Sequence, residues 1–184
     1  MSFLAEELRA YRPANDVERA HRDAMLDLLA YSPAALSRDN FVPGHFTASC
    51  FIVDGAGRLL LHHHRRLDRW LQMGGHLESG ETPEHAALRE GAEESGLRDL
   101  TIVGAILDLD IHQIPAARGE PDHAHFDVRY LARTANPESI SIDRAESNEL
   151  TWVTLDRAAE LMRGEESLRV LGKIEHMMRE RTVW

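Results

Sequence analysis

The chain carries a single cysteine, Cys50, in 184 residues. No disulfide can form within it, and a reducing compartment is the simplest expectation. No stretch is long and apolar enough to span a bilayer, and the opening MSFLAEELRAYRP lacks the basic region and apolar core of a secretory leader. Those two absences make the cytoplasm the expected location. Basic charge is also scarce: 21 Lys and Arg stand against 31 Asp and Glu, a net charge of −10 with His neutral. This balance argues against a nucleic-acid polymer as partner, because a phosphate backbone wants a basic face. A small nucleotide or another diphosphate held through metal ions stays compatible, since the metals bring the positive charge. Internal repeats, low-complexity runs and linkers are missing too. The length therefore suits one domain with a sizeable core and an appendage.

What is present concentrates in one stretch, GHLESGETPEHAALREGAEESGL, from Gly75 to Leu97. It reads as a loop followed by one helix. Thr82 suits the N-cap, Pro83 the first helical position, where its missing N–H costs nothing, and Gly96 the left-handed stop. Within that helix Glu90, Glu93 and Glu94 are spaced i, i+3 and i+4 and project from one face. Like charges at that spacing weaken an isolated helix, and on an arbitrary Glu-rich helix they are a solvated surface. Here Ala86 and Ala87 flank the carboxylates with little bulk, Leu88 and Ala92 are expected on the far side, and no lysine balances the charge. Clustered carboxylates among small residues suit hard divalent cations, which take oxygen ligands. Glu90 and Glu94 are the leading candidates as ligands, with Glu93 as third ligand or base.

These positions resemble the Nudix hydrolase signature: Gly, five residues, Glu, seven residues, Arg-Glu, an apolar residue, any residue, Glu-Glu, any residue, Gly, apolar. Gly75, Glu81, Arg89, Glu90, Glu93, Glu94, Gly96 and Leu97 occupy its places, eight fixed positions over 23 residues. That makes a specific motif. Gly91 departs from it, since a larger apolar residue is usual there. A mid-helix glycine costs on the order of 1 kcal/mol against alanine, so close packing against a neighbouring element is expected. The resemblance implies an α/β/α sandwich with a mixed sheet over residues 45 to 163 or so. It implies metal-dependent cleavage of a diphosphate linkage in a nucleoside diphosphate-linked or related small molecule, by water attack at phosphorus. Mg²⁺ is the expected cofactor, with Mn²⁺ as a substitute. The resemblance also assigns metal contact to the backbone carbonyl near Gly75, and it suggests a further catalytic carboxylate at Glu146, for which an exposed loop glutamate is the competing reading. Arg89 is expected to brace the glutamates by ion pairing, with Glu81 as an acceptor behind them.

Residues 1–40 read as a helical extension and 41–184 as the hydrolase domain. Leu4, Leu8 and Tyr11 share one stripe, broken at Arg12-Pro13. Asp16 suits the cap of a second helix whose apolar face takes Val17, Ala20, Ala24, Met25, Leu28 and Leu29 and which stops near Ser32-Pro33. The pair is expected to pack against the main domain or against a second subunit of a homodimer. From His45, HFTASCFIVD and RLLLHHH read as strands joined at Asp54-Gly55-Ala56-Gly57, and HRRLDRWLQM as a loop. LTIVGAILDLDIH reads as one or two strands. HAHFDVRYLAR alternates, with Ala124, Phe126, Val128, Tyr130 and Ala132 on one face and His123, His125, Asp127, Arg129 and Leu131 on the other. ELTWVT is a final short strand. Leu155–Met162 and Ser167 to about Arg179 are terminal helices with a break at Gly164.

The substrate's appended groups fall to the segments 62–73 and 112–125, and Arg65, Trp70, His123 and His125 are the candidate contacts. Of the 11 histidines, His62, His63 and His64 alternate faces of a strand and cannot converge. His123 and His125 share a face. If their strand pairs with the preceding one, His112 joins them and a zinc-type cation has three imidazoles; pocket walls or plain surface residues are the competing reading. Two other functions fit the same signature. An isoprenoid diphosphate isomerase needs a cysteine immediately before the glycine, where this chain has Gly74. A non-catalytic nucleotide sensor is disfavoured by the complete set of carboxylates and by an acidic charge that opposes DNA.

Overall fold

The computed structural model describes residues 3–117, 119–142, 144–145 and 147–180. The organising strand is β1 (Gly44–Val53), buried along its whole length. Its β-branched, aromatic and small residues suit a strand covered on both sides. Alternation divides it: Phe46, Ala48, Cys50 and Ile52 enter one apolar cluster, while Phe51 and Val53 enter another. A turn at Asp54–Gly57 leads to β2 (Leu59–His64), then β3 (Arg69–Leu71) and β4 (Met73–His76). The Asp54 carboxylate shapes that turn by accepting from the Ala56 and Arg58 N–H groups at 2.9 and 2.8 Å. Helix α3 (Pro83–Ser95) follows, then β5 (Thr101–Ile102), β6 (Asp108–Ile114), β7 (His123–Arg133) and β8 (Ser147–Val153). Two helices close the chain, α4 (Leu155–Met162) and α5 (Glu165–Arg179). Two precede β1, α1 (Phe3–Ala10) and α2 (Asp16–Tyr31).

The described strands form one mixed sheet in the order β3-β2-β1-β7-β5, with β4 also on β1, β6 also on β7 and β8 also on β2. Only the β1–β7 pair is parallel. One edge of β1 is shared: residues 47–50 pair with β4, and residues 52–53 pair with β2. Its other edge runs beside β7 for its full length. The sheet therefore splits and curls at β1, and a cleft opens where β4 diverges from β2. Helices cover both faces, which is the expected α/β/α arrangement.

The helices sort by cluster. Ala86 and Ala87 of α3 pack with Leu4, Leu8, Met25 and Leu28 of α1 and α2 on the Phe46 side of the sheet. Ala158 and Met162 of α4 pack with Val170, Leu171 and Ile174 of α5 on the Phe51 side. The amino-terminal helices thus share the core with the main sheet. Their docking is also polar. Glu18 is fully buried and ion-paired to Lys173 of α5, and His21 Nδ1 lies 3.1 Å from the Leu109 carbonyl oxygen of β6.

Four local expectations need correction. Asn15 caps α2, accepting from the Glu18 N–H at 2.9 Å, and Asp16 is the first helical residue. Val17 is exposed while Glu18 is buried, because the helix turns its ion-pairing residue inward. The segment before the signature is not all loop: it holds β3 and the start of β4, which carries Gly75 and ends at His76. The buried face of α3 is Pro83, Ala86, Ala87, Gly91, Glu94 and Ser95, with Leu88 only partly covered. Gly91 makes the close approach expected of it. A Cβ there would lie 3.1 Å from Leu100 Cδ1 and 3.2 Å from Cys50 Sγ, so α3 sits directly on β1.

Candidate active site

The signature helix is set by its ends. The Thr82 hydroxyl accepts from the His85 N–H, Pro83 opens the helix, and Gly96 closes it with a left-handed φ of 78°. Opposite its carboxy-terminal half runs β4, which places Gly74 and Gly75 beside Ser49 and Ala48 of β1. A Cβ at Gly75 would come within 2.4 Å of Glu90 Oε1. Only a residue without a side chain lets that carboxylate reach the backbone. The Gly74 N–H donates to Glu94 Oε2 at 2.9 Å, fixing the second carboxylate.

Arg89 ties the set together. Its Nε and Nη2 donate to the two Glu81 oxygens at 3.0 Å each, and Nη2 also reaches the His76 carbonyl oxygen at 2.9 Å. Nη1 donates to Glu90 Oε1 at 2.8 Å and to Glu93 Oε2 at 3.3 Å. Only a planar guanidinium can serve so many acceptors at once. Burial alone would raise the Glu81 carboxyl, but the Arg89 hydrogen bonds and the Glu78 N–H outweigh it and hold the pKa below its ordinary value. Arg89 is raised in turn, chiefly by its hydrogen bond to Glu81. The oxygens of Glu90 and Glu94 beside the Gly75 backbone make an all-oxygen donor set, the chemistry that hard divalent cations require.

These groups form one wall of a cleft of about 2250 Å³ whose floor is the polar half of the sheet. Asp127 of β7 accepts from Thr47 and Ser49 of β1 and from Arg129 Nε at 2.9 Å. Arg129, fully buried, also pairs with Asp110 at 2.9 Å and Asp108 at 3.3 Å. Arg169 and Lys173 of α5 reach Asp108 from behind at 2.9 and 2.8 Å. Burial opposes ionisation of Asp110, but its hydrogen bond to His112 and the nearby Arg129 charge lower its pKa. Buried charges are tolerated here because each has an opposite neighbour.

Beyond this network lie five imidazoles. The sheet register sets His45 opposite His125 and His125 opposite His112, and places His76 opposite Thr47, two residues along β1 from His45. His123 stacks on His45 with ring centroids 5.0 Å apart. Burial pushes His76 down to about 4, helped by His45, and lowers His125, helped by His76. His45 is lowered by burial as well, against the opposing pull of its hydrogen bond to Asn40. The three rings are therefore neutral at neutral pH.

Glu90, Glu94, Gly75, Arg89 and Glu81 converge as the sequence suggests, and His123 and His125 line the same cleft. Glu93 is turned outward and exposed, joined to the group only through Arg89. Arg65 stands exposed at the rim and donates to the Arg144 carbonyl oxygen at 3.1 Å. Trp70 does not reach the cleft. It packs against the second apolar cluster, edge-on to His63 at 5.2 Å, because strand alternation gives the cleft face of β3 to Arg69 and Leu71. Glu146 lies outside the described residues. Cys50 is buried against Gly91 with its thiol pushed up to about 12 by burial and by Glu94, so it offers no isomerase-type thiol at the cleft. The sequence reading passed over His45, His76, Asp108, Asp110 and Arg129. The acid pair at i, i+2 in LDLD and the Asp-x-Arg in FDVR were its available signal, since both put charge on one face of an otherwise apolar strand.

The family model described as the NUDIX domain matches residues 43–172. MutT4 of Mycobacterium tuberculosis (strain CDC 1551 / Oshkosh) is 34% identical over 103 residues, covering 56% of this chain and 36% of that protein. The m7GpppN-mRNA hydrolase NUDT17 of Xenopus laevis is 32% identical over 106 residues, covering 53% of this chain and 36% of that protein. The matched stretch thus spans about a third of the length of these two relatives. Among solved structures, a C. elegans Ap4A hydrolase binary complex superposes with a TM-score of 0.60 at 23% identity, over 73% of this chain and 98% of that one. With a family match over more than half of its length, and the curled mixed sheet that such structures share, this chain belongs to the Nudix hydrolase family.

Proposed function

We propose that this protein hydrolyses a diphosphate linkage in a nucleoside diphosphate-linked or related small molecule, with Mg²⁺ as cofactor and Mn²⁺ as a substitute. The observation that carries this reading is the placement of Glu90 and Glu94 against Gly74–Gly75, held by the Gly74 N–H and by Arg89. Nudix enzymes hydrolyse pyrophosphate bonds in nucleoside diphosphate derivatives, and two of the similar proteins are named for hydrolysis of m7GpppN-mRNA and of Ap4A.

Glu90, Glu94 and the Gly75 carbonyl would hold the ion. When bound, a divalent cation neutralises charge on the diphosphate oxygens and lowers the pKa of a water, supplying a nucleophile near neutral pH. Arg89 pairs with Glu90 and orients it, and Glu81 fixes Arg89 from behind. Glu93 contributes by pairing with Arg89 from the outer side. The imidazoles of His123 and His125 and the guanidinium of Arg65 are assigned to contacts with the substrate. With a net charge of −10, the enzyme is assigned a small molecule and not a nucleic-acid polymer. It is placed in the cytoplasm, as a monomer or a homodimer. Among the described residues no helix is long and apolar enough to cross a membrane.

The test is a panel of nucleoside triphosphates, nucleotide sugars, dinucleoside polyphosphates and coenzyme diphosphates with Mg²⁺, reading phosphate and diphosphate release. On the substrate found, Glu94→Gln keeps an acceptor for the Gly74 N–H but removes a charged ligand. Hydrolysis is expected to fall by a factor on the order of 10² or more. Mg²⁺ should raise the melting temperature of the wild type more than that of the variant, because an ion bound only to the native state stabilises it by mass action. A Glu94→Gln protein that works at the wild-type rate would overturn the proposal.

A further inference from the structure

Substrate contacts at His123 and His125 do not account for the other imidazoles gathered at the nitrogen-rich end of the cleft. His45 of β1, His76 of β4 and His125 of β7 each present one ring nitrogen, all within 4.8 Å of one another. Their ring centroids are 5.0, 4.9 and 5.1 Å apart for the pairs 45–76, 45–125 and 76–125. Three separate strands supply them, so the sheet register sets their positions.

The state of His45 points to a missing ligand. Its Nδ1 lies 3.2 Å from the Asn40 carbonyl oxygen. A carbonyl only accepts, so Nδ1 carries the proton and Nε2 presents a lone pair. That Nε2 is buried and has no hydrogen-bond partner among the described residues. Leaving a buried acceptor unmade costs free energy, which binding of a Lewis acid would recover. A backbone carbonyl behind the ring and a bare nitrogen in front is how metal-binding imidazoles are held. His123 next door also sets its Nδ1 against a carbonyl, that of Pro121 at 2.9 Å, but its Nε2 is engaged, 3.3 Å from His125 Nε2.

We infer that His45, His76 and His125 bind a borderline divalent cation of the zinc class, at a site distinct from the carboxylates and beyond the hydrolase reading. The donor sets sort the metals. Oxygen ligands at Glu90 and Glu94 suit Mg²⁺, whereas three neutral imidazoles suit zinc and are poor for magnesium. Tetrahedral zinc with bonds of 2.0–2.1 Å holds its nitrogens roughly 3.4 Å apart, so the rings draw together slightly on binding. Three protein ligands leave one position for water or a substrate oxygen. His76 directly follows Gly75, so the ion would also pin the end of β4 that faces Glu90.

The test uses the full chain, stripped with a chelator and titrated with Zn²⁺ against a chromophoric competitor in excess Mg²⁺. Bound metal is counted after gel filtration, and Co²⁺ substitution reads the coordination through its visible absorption. The wild type and Glu94→Gln are expected to hold about one zinc each with a tetrahedral cobalt spectrum. His125→Asn and His76→Gln are expected to lose affinity by roughly tenfold or more. Retention of zinc by Glu94→Gln separates this site from the hydrolase reading, which can fail without it. A wild type that holds no zinc at micromolar free ion overturns the inference, and so do histidine variants that hold as much as the wild type. If His125→Asn does not melt cooperatively, the wild-type titration and His76→Gln decide.

Discussion

Residue by residue, the carboxylate wall depends on an absent side chain as much as on those present. Gly75 is not in the left-handed region, so its backbone tolerates alanine. The obstacle is contact: a Cβ would stand 2.4 Å from Glu90 Oε1 and 2.5 Å from its Cδ. The carboxylate, at the end of a flexible side chain, is what moves. Gly75→Ala is therefore expected to fold with nearly the wild-type melting temperature. Its hydrolysis should fall by a factor on the order of 10², as when a catalytic group is displaced by about 1 Å. A steady-state assay alongside a thermal melt checks both halves. Full activity would mean that Glu90 does not act from this position.

Elements are joined here by charge where apolar contact alone would leave a choice. Lys173 of α5 meets Glu18 of α2, Asp108 of β6 at 2.8 Å, the Tyr11 hydroxyl at 2.7 Å and the Leu107 carbonyl oxygen at 3.1 Å. Asp108 keeps Arg129 and Arg169 if the lysine is removed, but among the described residues Glu18 keeps only the neutral donors Tyr11 and the Ala14 N–H in hydrogen-bond contact. Lys173→Met leaves Glu18 as a buried carboxylate without a cation. A loss on the order of 3 kcal/mol is expected, measured by denaturant unfolding. Adding Glu18→Gln removes the stranded charge and should restore part of that loss. A single variant that loses less than about 1 kcal/mol, the range of an exposed pair, would show that the tie contributes little.

At the scale of the whole molecule, buried histidines link folding to pH. His62 of β2 is nearly inaccessible, and its Nδ1 lies 2.7 Å from the Ser147 hydroxyl. Burial lowers its pKa from 6.5 to about 4, with His64 and His63 adding repulsion and the Gln72 backbone opposing. The unfolded chain therefore binds this proton more readily than the folded one, and stability falls as pH drops from about 6.5 towards about 4. The contribution of this ring over that window is on the order of 3 kcal/mol. Of the carboxylates lowered in the folded state, Asp108 and Asp110 work below the window: their contribution is present above the unfolded value of 3.8 and is lost as pH falls through the folded one. His62→Gln should flatten the decline between pH 6.5 and 4 and leave the acid limb intact, read as melting temperature against pH. A profile unchanged by the substitution would assign the decline to other groups.

Local chemistry was legible in the sequence because short-range forces decide it. Thr82, Pro83 and Gly96 delimit α3 by capping and backbone preference, and the period of two in HAHFDVRYLAR assigns each β7 residue its face. Gly91 announced a close approach because a helix keeps such a residue only where a neighbour presses. The signature itself specified Glu90, Glu94 and Arg89, whose spacing is a property of one helix. Tertiary structure decided what depends on partners distant in the chain. Strand β4 is too short and too rich in glycine to show a pattern, and it exists because residues 47–50 of β1 pair with it. Trp70 faces the core because the pairing of β2 with β3 sets which side of the sheet it takes. Asn15 caps α2 in place of Asp16 because burial of Glu18 against Lys173 fixes the rotation of that helix. His45 and His76 meet His125 only through the parallel register of β1 on β7 and the antiparallel register of β4 on β1. The register of β1 on β7 is a relation between residues 80 apart in the chain, and no local preference of either segment contains it.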